Sequence, residues 1–138
     1  MKHRLLQILA DGEWHSGQVL ADELGISRAS ISNHMQSLRE MGAAIHRLKG
    51  RGYRLKKPLG LLDESLIRTA MPDEQSLDEV IVRFESDSTN SELMAVDATG
   101  RHVCLAEYQS RGRGRRGRRW IAPVASSLCM SCSVDLPA

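Results

Sequence analysis

The chain is 138 residues long, with 41% hydrophobic and 26% charged residues. That composition excludes a disordered polypeptide, and that length allows one ordinary domain or two small ones. No apolar run approaches the length of a transmembrane span, and three cysteines, an odd number, argue against a disulfide framework. The formal net charge is only +2, but it is unevenly shared. Residues 1–57 hold ten Lys/Arg against five Asp/Glu, whereas residues 58–138 hold nine against twelve. Six of those nine are arginines packed into the stretch 111–119. A basic N-terminal region and one basic loop on an otherwise acidic body point to anionic ligands in two places.

The opening "MKHRLLQILADGEW" imitates a signal peptide, but its apolar run is short, broken by Gln7 and closed by Asp11-Gly12-Glu13. It reads as an amphipathic helix of a cytoplasmic protein, with Leu5, Leu6, Ile8 and Leu9 on the apolar face. Ser16 caps a second helix whose apolar positions are Val19, Leu20 and Leu24. A tight turn at Gly25-Ile26 follows. Ser27 then caps a third helix running to about Met41, with Ile31, Met35 and Leu38 on one face, and Gly42 ends it. "AAIHRL" and "GYRL" read as two short strands joined by the basic turn Lys49-Gly50-Arg51-Gly52. Helix, helix, glycine turn, helix and hairpin in this order describe a winged helix-turn-helix.

"KKPLG" (56–60) reads as a linker, because Pro58 bars helix continuation. Beyond it the pattern predicts a short helix around 62–70 and a strand at "VIVRF" (80–84). A helix follows "DSTN" (87–90), with Thr89 and Glu92 at capping-box spacing. "HVCLAEY" and "SLCMSCSV" give two further strands.

With Ile31 at the centre of the buried face, Ala29, Asn33, Gln36 and Glu40 of the third helix point away from the core. Residues near the start of a recognition helix reach base edges in the major groove. The candidates are Ser27, Arg28, Ser30, Ser32, Asn33 and Gln36, of which Asn33 and Gln36 carry the amide that binds adenine bidentately. Arg28, Lys49, Arg51 and Arg54 are candidate phosphate contacts. The competing reading is a merely solvated polar face.

Within "SRGRGRRGRRW" (110–120), "GRGRRG" spells the dinucleotide fingerprint G-x-G-x-x-G. That fingerprint requires a helix after the glycines and an acidic residue further on. Asp135 stands at a suitable distance, but Pro123 and a β-type run follow the loop, so no helix opens there. An RNA-binding arginine-glycine tail would be long and disordered, whereas this segment lies between two strands. A ligand loop fits better: arginine forks grip phosphate or carboxylate, and glycines let the loop fold over the ligand.

"SDSTNSEL", "AEYQSRGRGRRGRRW" and "P…SSL", in this order, resemble the catalytic domain of biotin–protein ligases. "EWHSGQVLADELGISRASISNHMQSLREMGA" and "KGRGYRL" resemble the DNA-binding region of the bifunctional bacterial biotin ligase and biotin operon repressor family. The resemblance implies an α+β chain: a winged helix-turn-helix (1–57), a linker (58–61) and the first part of a mixed α/β ligase catalytic domain (62–138). It implies that biotin and ATP, with Mg²⁺, form biotinyl-5′-adenylate, and that the biotinyl group passes to a lysine of a biotin carboxyl carrier protein. It further implies that the adenylate serves as corepressor and drives homodimerisation on operator DNA, with no membrane partner. Ser88, Thr89, Asn90 and Gln109 would bind biotin, together with Gly112, Arg113, Gly114 and Arg115 of the closing loop. Arg115, Arg118 and Trp120 would border the adenylate, and Arg113, Arg115 and Arg118 would supply the positive charge that holds two anions together in the adenylation step.

The chain stops at Ala138, before the Lys-Trp-Pro-Asn-Asp segment that carries the family's lysine. The expectation is therefore a truncated ligase domain with little activity of its own, and the competing class is a regulator that senses a ligand without chemistry. Cys129 and Cys132, spaced by three in a strand, fall on opposite faces and are expected to be packing residues, with no protein-held metal.

Overall fold

The computed structural model describes residues 1–72, 77–96, 99–118 and 120–134. Arg119 and Asp135 lie outside the described residues. The chain divides into two compact units, Met1–Leu61 with Pro123–Ala125, and a second formed by Leu62–Ala122 and residues from Ser126 on.

The first unit holds three helices and a hairpin: α1 (Lys2–Leu9), α2 (Gly17–Leu24), α3 (Arg28–Glu40), β1 (Ile45–Leu48) and β2 (Gly52–Leu55). Leu5, Leu6 and Leu9 of α1 are fully buried with Leu20, Ile31, Met35 and Leu38, forming a core read directly from helical spacing. Ser16 and Ser27 are the caps expected: the Ser16 hydroxyl accepts from Val19 N, and that of Ser27 from Ser30 N, both at 3.1 Å. Gly25 adopts the left-handed conformation that closes α2 (φ 64°). Two local expectations need correction. Val19 is 55% exposed, and Ala21 takes its place in the core. The first hairpin strand starts at Ile45 rather than Ala43, because Ala43 N bonds Leu38 O in the turn that leaves α3.

The hairpin register pairs Ile45 with Leu55 and Leu48 with Gly52. A further bridge ties it to the start of α2: His15 N donates to Tyr53 O at 2.8 Å and Tyr53 N to His15 O at 2.9 Å. Residues 58–61 carry no helix or strand, and Leu59 N donates to Ala10 O.

The second unit holds α4 (Glu64–Ala70), β3 (Glu79–Ser86), α5 (Thr89–Met94), β4 (His102–Gln109), a single 3₁₀ turn at Arg115–Gly117, and β5 (Cys129–Ser133). Asp63 caps α4 by accepting from Leu66 N, so that helix begins two residues later than expected. β3 runs beyond the expected 80–84 at both ends, and β5 is shorter than the expected 127–134. The sheet order is β3-β4-β5, with β3 and β4 parallel and β4 and β5 antiparallel. β4 is central and buried throughout His102–Glu107, as a strand covered on both faces must be. Alternation sorts the core: Val80, Val103 and Leu105 pack with Leu62, Ile67, Leu77 and Val82. Ile81 and Cys104 pack with Leu93 of α5 and with Val96. Among the described residues no helix is long and apolar enough to cross a membrane.

Candidate nucleic-acid interface and ligand pocket

In the first unit, α3 turns Ala29, Asn33, Gln36 and Glu40 outward, all exposed. Not every candidate there is free. Gln36 Nε2 donates to Glu40 Oε1 at 3.1 Å, and the Ser27 and Ser30 hydroxyls bond each other at 2.9 Å. Arg54 lies with its guanidinium 4.8 Å from the Trp14 ring centroid, a stacked position inside the unit. Arg51 is exposed at the hairpin turn. Arg28, Ser32 and Lys49 line a groove with Arg47, Tyr53 and the start of α2. Arg47 was not singled out in the sequence; its side chain sits beside Tyr53, 5.7 Å from the ring centroid, a relationship set by the strand pairing Arg47↔Tyr53.

In the second unit, the parallel register Ser86↔Gln109 decides the site. It brings the chain leaving β3 beside the chain leaving β4, at the carboxyl ends of two parallel strands, where α/β sheets place ligands. The pairing continues past the strands: Ser110 N donates to Ser86 O, and Arg111 N to Asp87 O. The Ser110 hydroxyl also donates to Asp87 Oδ1. The "DSTN" turn and the arginine loop are thus strapped together at their roots.

The expected capping box does not form. Ser88 is the N-cap of α5 and makes no side-chain cap bond. Thr89, buried as the first helical residue, donates both its N–H (2.8 Å) and its hydroxyl (3.2 Å) to Gln109 Oε1. Its hydroxyl also lies 2.8 Å from that of Ser131. Glu92 turns instead to the Ser86 hydroxyl and Arg83. A fixed acceptor from β4 has displaced the local carboxylate.

The loop folds back on itself. Trp120 N donates to Gly112 O at 3.1 Å and Gly114 N to Arg118 O at 2.8 Å, with Arg116 left-handed at the tip (φ 58°). Among the described residues no α-helix follows the glycines, which argues against the dinucleotide reading. Gly112 is a matter of close approach: a Cβ there would stand 2.9 Å from Trp120 Cδ1 and 3.2 Å from Gln109 Nε2.

A cavity of about 600 Å³ opens at this point, lined by Ser88, Thr89, Asn90, Gln109, Arg113 and Trp120. Sequence reasoning missed its other walls, Met94, Leu128, Cys129, Met130 and Ser131. Met94 follows Asn90 by one helical turn, and Leu128 closes the "SSL" motif, so both were within reach of a spacing argument. Ser131 was not, because only the β4–β5 pairing brings it here. Gly112 lies buried beside the cavity, whereas Gly114, Arg115 and Arg118 are not among its lining residues; both arginines are exposed. Burial pushes the Cys129 thiol up, and the Glu107 carboxylate adds to this; Cys132 faces outward. The cavity therefore joins amide and hydroxyl groups to apolar walls, with one guanidinium among them. That combination suits a ligand with a polar head, an apolar body and an anionic end.

Residues 2–54 match a helix-turn-helix domain family, so the first unit is a helix-turn-helix domain. Over most of its length the chain is homologous to bifunctional ligase/repressors. It is 42% identical over 131 residues to the bifunctional ligase/repressor BirA of Salmonella typhimurium, covering 92% of this chain and 39% of that protein. It is 34% identical over 133 residues to that of Bacillus subtilis, covering 93% and 41%. The biotin–[acetyl-CoA-carboxylase] ligase of Mycobacterium tuberculosis is 38% identical over 60 residues, covering 38% of this chain and 23% of that ligase. The chain thus spans about two fifths of the length of the ligase/repressors, corresponding to their N-terminal part.

Proposed function

We propose that this chain carries the operator-binding domain and the first part of the biotin site of a bifunctional biotin–protein ligase and biotin operon repressor. Residues 1–57 are the DNA-binding domain, 58–61 the linker, and the remainder the ligase portion. The observation that carries the reading is convergence. Six residues chosen from separate motifs, Ser88, Thr89, Asn90, Gln109, Arg113 and Trp120, line one cavity.

In this reading the amide and hydroxyl groups of Asn90, Gln109 and Ser88 hold the ureido ring of biotin, with Thr89 fixing the Gln109 carbonyl. Met94, Leu128 and Met130 enclose the apolar body, and Arg113 faces the carboxylate. Biotin and ATP are the substrates, and biotinyl-5′-adenylate is the product and corepressor. The biotinyl group passes to a lysine of a biotin carboxyl carrier protein in the cytoplasm. Arg115 and Arg118, exposed on the glycine-rich turn, close on the adenylate phosphate and stabilise its charge. Magnesium would accompany the nucleotide phosphates, the usual way that ion binds. Among the described residues no group of three or more His, Cys, Asp or Glu is placed to hold a metal. Ordering of the loop by the adenylate favours a homodimer, which binds a two-half-site operator through α3.

The test is calorimetric titration of biotin and biotinyl-5′-adenylate into the purified chain, alongside incubation with biotin and radiolabelled ATP. Binding that Arg113→Ala abolishes supports the site; no binding of either ligand overturns it. Binding without biotin-dependent pyrophosphate release is expected both of a partial ligase domain and of a regulator that senses its ligand without chemistry; biotin-dependent pyrophosphate release overturns the regulator reading.

A further inference from the structure

The chain has six methionines, and their settings differ. Met35 and Met41 are buried in the first unit. Met94 is 81% exposed and Met130 52%, and these two line the cavity of the second unit. Met1, also exposed, and Met71, half-buried, are not among its lining residues. An exposed thioether is open to oxidants, and its sulfoxide disrupts the apolar contacts that methionine makes. The other sulfur on the cavity wall, Cys129, is buried and its thiol is pushed up, so it offers little of the thiolate that peroxide attacks.

Met94 is also tied to a polar group of the cavity. It is the last residue of α5 and stands one turn beyond Asn90, which lines the same space. Asn90 Nδ2 donates to Met94 Sδ at 3.5 Å. A thioether sulfur is only a weak acceptor, so the amide stays available to a ligand. Oxidation changes both sides of this contact. The sulfoxide carries a polar oxygen, which binds the Asn90 amide more firmly than sulfur does and draws it from the ligand. The same oxygen turns an apolar piece of wall polar.

We propose that Met94 is a redox modification site: hydrogen peroxide converts its thioether to the sulfoxide, and the cavity then holds its ligand less tightly. The sulfur lone pair attacks one peroxide oxygen, and the S–O bond forms as the O–O bond breaks. The displaced hydroxide takes the proton left on the transferred oxygen and departs as water. Sulfur loses two electrons and the peroxide gains them. Met130, the less exposed of the two, reacts second. The effect on biotin affinity rests on the biotin reading above; the position of the oxidised sulfur does not.

The purified chain is treated with hydrogen peroxide for increasing times, and the gain of oxygen at each methionine is followed by peptide mass mapping. Met94 is expected to react ahead of Met130 and at least about tenfold faster than buried Met35 and Met41. Samples from the same course are titrated with biotin. Affinity is expected to fall roughly tenfold, the scale of one lost hydrogen bond or apolar contact, in step with oxidation at Met94. Methionine sulfoxide reductases supplied with dithiothreitol restore it, and dithiothreitol alone does not. Met94→Leu keeps most of its own starting affinity through the treatment. Met94→Gln, which sets a carbonyl oxygen near Asn90, binds weakly before any treatment. Met71→Leu, outside the cavity, retains the affinity and the peroxide sensitivity of wild type. Oxidation of Met94 no faster than that of the buried methionines, affinity unchanged once Met94 is oxidised, or a Met94→Leu chain as sensitive as wild type overturns the proposal. An untreated chain that binds no biotin overturns the biotin reading instead, and the oxygen map still decides the site.

Discussion

His15 and Tyr53 exchange both backbone hydrogen bonds, at 2.8 and 2.9 Å, so the hairpin is fastened to the loop that starts α2. Gly52 makes this possible. It sits at φ 103°, and a Cβ there would be driven into the His15 carbonyl oxygen. Gly52→Ala is therefore expected to destabilise the first unit by about 2 kcal/mol or more and to weaken duplex DNA binding. Thermal denaturation and a binding titration check both; an unchanged melting temperature counts against the bridge.

Asn33 is exposed on α3, whereas Gln36 donates to Glu40. Asn33→Ala is expected to cost about 1–3 kcal/mol on the preferred duplex and little on others. Glu40→Ala frees the Gln36 amide, and it should shift base preference in a selection experiment without changing the salt slope. Equal losses on all sequences would assign these residues to the backbone instead.

The Thr89 hydroxyl serves two partners, Gln109 Oε1 and the Ser131 hydroxyl. Thr89→Val keeps the shape and leaves the Ser131 hydroxyl without that partner. Its expected cost is about 1–2 kcal/mol of stability, and biotin affinity falls by up to about tenfold as the Gln109 amide loses one of its two donors and keeps only the residue-89 N–H. Thr89→Ser, which keeps the hydroxyl, should retain most of that affinity by calorimetry.

Gly112→Ala places a methyl group against Trp120 and the Gln109 amide. The displaced indole should lower affinity for biotinyl-5′-adenylate by at least about tenfold. Gly117→Ala, at the open tip of the turn with nothing within 4 Å of a Cβ, has room for a methyl group but strains a φ of 71°. Its expected effect is on loop conformation, with a smaller loss in affinity than Gly112→Ala.

The His15 ring and the Glu13 N–H hold the Asp11 carboxyl below its ordinary value of 3.8. A carboxyl lowered on folding contributes stability that is fully present above its unfolded value and is lost as pH falls through the folded one. Asp11→Asn should therefore be less stable than wild type above about pH 4, with the gap closing under more acid conditions. Asp11 is 48% exposed, so the gap is under about 1 kcal/mol. Denaturant midpoints measured across the acid range give the sign.

The local features of this protein were legible in its sequence for a simple reason: caps, glycine turns and apolar spacing act within a few residues. Ser16 and Ser27 cap where expected, and Ile31, Met35 and Leu38 are buried as helical period requires. The residue types of the cavity were legible too, because hydroxyl, amide and guanidinium groups announce their chemistry. Only the tertiary structure decided who meets whom. Thr89 leaves its capping box for Gln109, twenty residues away, because parallel pairing sets Ser86 against Gln109. Ser131 joins them through β4–β5 pairing, Arg54 turns inward to Trp14, and Arg47 comes to rest beside Tyr53. Strand register and packing are long-range interactions, and a period read along the chain carries no information about the partner on the next strand.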